Sequence, residues 1–480
     1  MPSLRQKTTD SLKWSAIERL VTQMVQFAVM LFLARLLGPD AFGLIGMLTV
    51  FIAISQVFVD SGMTSALIRK LDRTEQDFST AFYFNIIVAL LCYLLLYLLA
   101  PSIAHFYGQL ELTSLTRVLA IVVIVNGFCV IQRAKLTIRM DFKTQAKASL
   151  LSVAISSIVA LTLAYMEFGV WTLVGQSISS VICNALFLNV LHPWRPKGKF
   201  SRHSFLELFG FGSKLLISRL IDSFYQNIYQ LIIGKQFNSI DVGFFTQANQ
   251  LVKTPTTTLT AIIQRVTYPM LSSIQDQSER LNATYLLTLR LSALVIFPLI
   301  IGLAVTADLL IPVILGKLWQ PAAILVLILS FGLVLYPIHA INLNYLQVKG
   351  RSDLFLKLEV IKKLITTVIL FFSVPNGVIA ICLGMAIQSH FALVINTYYT
   401  GKLGNLGFVR QIRCLAPIWV LSVVCCFSSR LLSLSVISYE WGALAMTIIL
   451  SIILYIIGIR LFQEDLYHKV APKILKKFLF

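Results

Sequence analysis

Four polar side chains, Arg19, Thr22, Gln23 and Gln26, interrupt an otherwise apolar stretch at spacings of i, i+3, i+4 and i+7. On a helix those spacings bring all four to one face. Arg219, Asp222, Ser223 and Gln226 repeat the pattern in a later apolar stretch. The segment following the first stretch adds Thr49, Gln56, Asp60 and Thr64. The segment following the later one adds Gln247, Gln250, Lys253, Thr254, Thr257, Thr258, Gln264 and Arg265. An ionised side chain in hydrocarbon costs about 2.5–3.5 kcal/mol on insertion scales, so such groups face a cavity or a partner. Arg19, Arg219, Lys253 and Arg265 outnumber the carboxylates Asp60 and Asp222. The chemistry this favours is the non-covalent holding of an anion in a hydrated cavity, with Gln23, Gln26, Gln226 and Gln250 free to hydrogen-bond hydroxyl groups. A structural alternative stays open, in which Asp222 pairs with Lys253 or Arg219 and Asp60 with Arg19, as links between helices. Asp60 and Asp222 are therefore candidates for charge pairing or ion coupling.

The elements that carry these residues belong in a membrane. The chain has 480 residues, 57% hydrophobic and 13% charged, against about 45–50% apolar and about 25% charged in a soluble domain. Lipid leaves only helices or closed barrels as spanning structures, and runs such as Ile86–Leu99 and Ala443–Ile457 lack the alternation of a barrel strand. About fourteen transmembrane helices are expected between Trp14 and Arg460. The formal net charge of +19 sits in short alternate loops, which argues against nucleic acid. Arg69, Lys70, Arg73, Arg133, Lys135, Arg139, Arg195, Lys197 and Lys199 fall on one side, with both ends of the chain, while Arg35, Arg117, Lys235, Lys317 and Arg430 fall on the other. The positive-inside rule then puts both termini in the cytoplasm. The first apolar stretch is too long for a signal peptide and is expected to remain as a span. The basic, apolar-spaced tail from Gln463 either lies on the inner leaflet or is simply solvated.

The chain also repeats itself. Arg19, Leu20 and Gln26 recur two hundred residues on as Arg219, Leu220 and Gln226, and Gly43 recurs as Gly243. Gly108 and Gly316 occupy similar places after later spans. An even number of spans separates the copies, which predicts a parallel repeat with substrate sites between its parts. Pro255, Pro298 and Pro337 fall inside the eighth, ninth and tenth spans, where proline kinks a helix, and are the candidate gating positions. His339 and His390 are read as hydrogen-bonded helix histidines rather than proton carriers, and Asp308 as interfacial. Seven cysteines form no CxxC pattern and read as apolar filler. There is no P-loop and no HExxH. No cofactor or metal is expected; a coupling ion, Na⁺ or H⁺, is left open.

In Leu12-Lys13-Trp14-Ser15-Ala16, in Leu33-Ala34-Arg35-Leu36-Leu37-Gly38-Pro39 with Phe42-Gly43-Leu44, and in Asp60-Ser61-Gly62, the chain resembles the polysaccharide transport family of bacterial exporters. Arg265-Val266, Tyr268-Pro269 and Ile274-Gln275-Asp276 extend the resemblance over nearly the whole chain. That family belongs with multidrug/toxin extrusion proteins and lipid II flippases in the MOP exporter superfamily. The resemblance implies two six-helix bundles around a central cavity, here 1–190 and 210–398 with a cytoplasmic linker at 191–209, and two further helices with the tail at 399–480. It implies a flippase for polysaccharide repeat units on undecaprenyl pyrophosphate in the bacterial inner membrane, working by alternating access. It also implies pyrophosphate binding by Arg19 and Arg265; Lys253 has no such counterpart and is a candidate from its depth alone. Expected partners are the lipid-linked oligosaccharide, membrane lipids and other polysaccharide-assembly proteins of the membrane, with the chain a monomer. A cation-coupled drug exporter of the same fold would want a more acidic cavity. A membrane glycan polymerase or ligase would want a large outer loop, and all outer loops here are short.

Overall fold

The computed structural model describes residues 4–437 and 439–462. The basic tail from Gln463 lies outside the described residues. Everything regular among them is helical: α1 Leu4–Asp60, α2 Met63–Arg69, α3 Glu75–Tyr107, α4 Leu112–Leu119, α5 Ile121–Ile138, α6 Phe142–Tyr165, α7 Trp171–Leu191 and α8 Arg202–Gln236 come first. There follow α9 Ser239–Ser272, α10 Ser278–Leu315, α11 Ala322–Leu333, α12 Tyr336–Val348, α13 Ser352–Ser373, α14 Gly377–Gly404, α15 Phe408–Val436 and α16 Glu440–Phe462. The chain divides into two compact units, Met1–Gly243 and Phe244–Phe480. Helix α8 packs within the first of them, against α1, α2 and α3. The connection from α7 to α8 covers 192–201, and Ser201 caps α8 by accepting from the Ser204 N–H.

Among the described residues ten helical stretches are long and apolar enough to cross a membrane, so the protein is a multi-pass membrane protein. Two of the ten are very long: Glu18–Arg69, with 52 residues, and Ser352–Gly404, with 53. Each contains a glycine in the left-handed region, Gly38 at φ 74 and Gly377 at φ 92. A side chain resists that backbone conformation, so the chain turns there and the helix does not continue straight. Helices α8 and α9 fall outside the ten because of the polar residues that single them out in the sequence.

Local signals set the other boundaries. Thr74 and Asp77 form a capping box at the start of α3, and Gly108, at φ 69, ends that helix. Asp141 caps α6 by accepting from the Thr144 N–H at 3.1 Å. Pro255 and Pro298 do lie inside helices, α9 and α10. Pro337 lies within the Ala322–Val348 stretch, in the first turn of α12 and just after the break at Val334 and Leu335. There its missing N–H removes no helical hydrogen bond, and the interruption of the span falls immediately before it.

In the first unit α6 packs on α7 and α1, and α3 on α5. Small residues let these backbones close in: a methyl on Gly127 would fall 2.9 Å from Ala89 Cβ. In the second unit α15 and α16 pack together and against α10. Tyr455 donates to the Leu294 carbonyl at 2.9 Å, and Arg430 on α15 pairs with Asp308 on α10 at 2.5 Å. Asp308 is therefore an ion-pair partner and not merely interfacial. All seven cysteines are unpaired thiols.

Candidate functional site

The first unit contains a cleft of about 720 Å³ lined by α1, α2, α5 and α8. Its polar lining is Gln56, Asp60, Thr64, Arg133, Arg219, Asp222, Ser223, Gln226 and Asn227. The α8 face read from the sequence is thus a lining face, since Arg219, Asp222, Ser223 and Gln226 all reach the cleft. The 3.6-residue period places them along one stripe, and the polar residues of α1 after its Gly38 turn complete the opposite wall.

Two guanidinium groups and two carboxylates line the cleft, and Arg219 is joined to Asp60. Arg219 Nη1 donates to Asp60 Oδ2, while Arg219 Nη2 donates to Ser65 Oγ at 3.2 Å. Thr64 Oγ1 donates to the other Asp60 oxygen at 2.6 Å. Asp60 does not pair with Arg19, the partner the structural alternative assigned to it. Within this cleft the two guanidinium groups and two carboxylates balance. Asp60 ends α1, and the next two residues, Ser61 and Gly62, have φ of 46° and 67°. Gly62 lies against α8 so closely that a methyl there would fall 2.4 Å from the Gly212 carbonyl oxygen. Beyond it, Lys70 Nζ reaches Glu207 at 2.7 Å and Asp77 at 3.2 Å, and Arg69 lies 4.4 Å over the Phe211 ring. The hydrogen bond to Glu207 is the largest cause holding the Lys70 ammonium above its usual pKa.

Arg133 was missed as a site residue because the apolar stretch ends at Ile131, which files it with the loop charges. The helix continues to Ile138, so Arg133 lies within α5 and reaches the cleft. It donates to Asn184 Oδ1 at 2.8 Å. Its neighbours show the same inward turn: Gln132 is buried and donates to Asn189 at 2.6 Å, and Lys135 is buried against Glu75 at 2.5 Å and the rings of Phe78 and Trp194. The usable signal was polar residues continuing at helical spacing up to the Asp141 cap.

Arg19, Gln23 and Gln26 are not among the lining residues of this cleft. Arg19 and Gln26 are exposed on α1 and Gln23 is half-buried. Gln250, Lys253 and Arg265 lie on α9 in the second unit. Gln250 and Arg265 are exposed, Lys253 is half-buried, and among the described residues neither cation pairs with a carboxylate. Nearby, Gln264 donates to Asn344 Oδ1 at 3.3 Å. His339 is hydrogen-bonded as expected, with Ser389 Oγ 3.0 Å from Nε2 and the Asn396 amide nitrogen 3.2 Å from Nδ1. His390 Nδ1 lies 2.8 Å from the Ala386 carbonyl oxygen.

The site is a polar cleft inside an otherwise apolar helical membrane protein. The family described as polysaccharide biosynthesis protein matches residues 32–324, more than half of the chain, and the chain belongs to that family. It is 28% identical over 359 residues to the teichuronic acid biosynthesis protein TuaB of Bacillus subtilis, covering 74% of each chain. It is 24% identical over 404 residues to the lipopolysaccharide biosynthesis protein WzxC of Escherichia coli, covering 82% of this chain and 80% of that one. The fold is that of the lipid II flippase MurJ in an inward closed conformation, with a TM-score of 0.76 over 95% of this chain and 99% of that one at 14% identity. An inward-facing MATE multidrug transporter of the MOP superfamily shares it at a TM-score of 0.60 and 17% identity, over 84% of this chain and 98% of that one.

Proposed function

We propose that the protein is a flippase for lipid-linked oligosaccharides, moving undecaprenyl-pyrophosphate-linked repeat units across a bacterial inner membrane by alternating access. The observation that carries this reading is the first-unit cleft, where Arg133 and Arg219 stand beside amide and hydroxyl groups in a chain of the polysaccharide biosynthesis family. Such a substrate has an anionic head and a sugar rich in hydroxyls, and its polyprenyl tail can stay in lipid. Guanidinium groups suit phosphate geometry, and Gln56, Gln226 and Asn227 can serve the sugar. Arg19, Lys253 and Arg265 are proposed as further anion-binding cations, and Pro255 and Pro298 as positions where helices bend. We place both termini in the cytoplasm, count fourteen crossings, and assign the protein transport rather than catalysis.

The balance of Asp60 and Asp222 against the two arginines supports one second reading, a cation-coupled drug exporter of the MATE kind. One experiment separates the two. In a strain deleted for this gene, the flippase reading expects loss of surface polysaccharide, restored by the wild-type gene and reduced by Arg133→Ala at equal protein level. Unchanged polysaccharide together with new sensitivity to cationic drugs would favour the exporter.

A further inference from the structure

We propose that Asp60 is a built-in competitor for the substrate's anionic group: it occupies Arg219 while the cleft is empty, and its displacement by a phosphate releases the Ser61–Gly62 turn. This deepens the flippase reading and rests on it. Three observations converge on it. Arg219 is the cleft residue on α8 that reaches the α1–α2 junction, through Asp60 and Ser65. The pair is open to the cleft, with side-chain exposures of 46% for Arg219 and 26% for Asp60, so an incoming anion can reach the guanidinium without unfolding anything. The carboxylate that holds Arg219 is the last residue of α1, directly before a turn whose serine is forced to φ 46.

Asp60 takes Arg219 Nη1 and Ser65 takes Nη2, the two nitrogens that a phosphate engaged in the bidentate manner would use. An anion on that edge needs the donor that Asp60 holds, so binding the ligand and keeping Asp60 are in competition. When Asp60 loses Arg219, Thr64 remains as its hydrogen-bond partner. The left-handed conformation at Ser61, which a non-glycine residue resists, then loses an interaction that ties it to α8. The close approach of Gly62 to Gly212 means that any opening of this turn separates α8 from the α1–α2 junction. Ligand binding is thereby converted into movement of one helix.

The test uses full-length protein in lipid nanodiscs and inorganic pyrophosphate as the probe, with binding by calorimetry and amide hydrogen exchange read over 60–66. In wild type, pyrophosphate is expected to speed exchange across 60–66. Asp60→Asn, which keeps the shape and removes the charge, is expected to exchange fast without the probe and to bind pyrophosphate roughly two- to fivefold more tightly, the range expected for a partly exposed ion pair. Arg219→Gln is expected to exchange equally fast and to bind more weakly. Asp60→Ser serves as a second charge-removing variant should the asparagine protein prove unstable, and melting temperature monitors folding. Tightening by either Asp60 variant supports the competitor. Unchanged or weaker affinity in a folded Asp60 variant overturns it, as does exchange at 60–66 that pyrophosphate leaves unmoved, or the absence of pyrophosphate binding by every form. Loss of the transport reading would show separately, as normal polysaccharide in the deletion strain.

Discussion

Arg430 and Asp308 show how a single side chain within the apolar part of this protein is made tolerable. Arg430 has a side-chain exposure of 10%, Asp308 one of 56%, and one guanidinium nitrogen, Nη1, finds no acceptor. Removing the carboxylate leaves a mostly buried cation unpaired. Because Asp308 is more than half exposed, screening limits the loss to about 1 kcal/mol. Asp308→Asn should therefore lower the melting temperature of the detergent-solubilised protein modestly, and a melt unchanged within error would contradict the role assigned to the pair. Lys135 is the stronger case, enclosed by Glu75, Phe78 and Trp194. Lys135→Met keeps the packing but strips Glu75 of its cation while Trp194 Nε1 still donates to it at 3.1 Å. It should destabilise the first unit less than Lys135→Ala, which also opens a void; the ranking is read from thermal unfolding of the two variants. At this scale the α8 stripe was legible, because four polar residues at helical spacing have no other reason to sit in an apolar run. The partner of Asp60 was not. Arg19 and Arg219 look alike as sequence neighbours in a repeat, and only the fold shows that the second reaches it.

Among the elements, the repeat shows most clearly where Gly43 and Gly243 meet the chain. A methyl on Gly43 would fall 1.7 Å from the Ser239 carbonyl oxygen, and one on Gly243 would fall 2.0 Å from the Pro39 carbonyl oxygen. The contact is reciprocal: each repeat-related glycine faces the backbone preceding the other. Gly43→Ala or Gly243→Ala cannot be accommodated by rotating a side chain, so the segment after Gly38 and the start of α9 must move apart. Each is expected to cost about 1–3 kcal/mol and to raise amide exchange over 38–43 and 239–243 together. Protection that falls on one side alone would argue against a shared contact. Gly108→Ala offers a contrast, since nothing lies within 4 Å of the added methyl and only the φ of 69° resists it; about 1 kcal/mol is expected. Helix existence was readable from apolar length for most spans, and for α8 and α9 from polar residues at helical spacing within them. Boundaries were readable where a cap is spelled out, as at Thr74–Asp77, and not where proline can start a helix as well as bend one, as at Pro337.

For the whole molecule, the proposed topology has fourteen crossings with both termini in the cytoplasm, its orientation set by charge placement. Cysteines introduced singly at Gln109, Phe168 and Gln320 should react with a membrane-impermeant maleimide in intact cells. Cysteines at Lys197 and Gln275 should react only after the membrane is permeabilised. The reverse pattern would invert the proposed topology. The sequence leads one to expect about fourteen spans, whereas length and composition alone pick out ten among the described residues. Part of the difference lies in hairpins that turn at Gly38 and Gly377. The rest lies in α8 and α9, whose lining residues dilute their apolar character.

That dilution bears on how the protein is made. A translocon releases a segment into lipid according to its own partition energy, and α8 carries Arg219, Asp222 and Gln226 among its apolar residues. Left to itself such a helix has little reason to stay in the bilayer. Its retention during synthesis would then depend on α1, already in place with Asp60 waiting, so that the earlier helices act as a receptor for the later one. A ribosome stalled shortly after α8 should yield an integrated product when Asp60 is intact and a larger alkali-extractable fraction when it is asparagine.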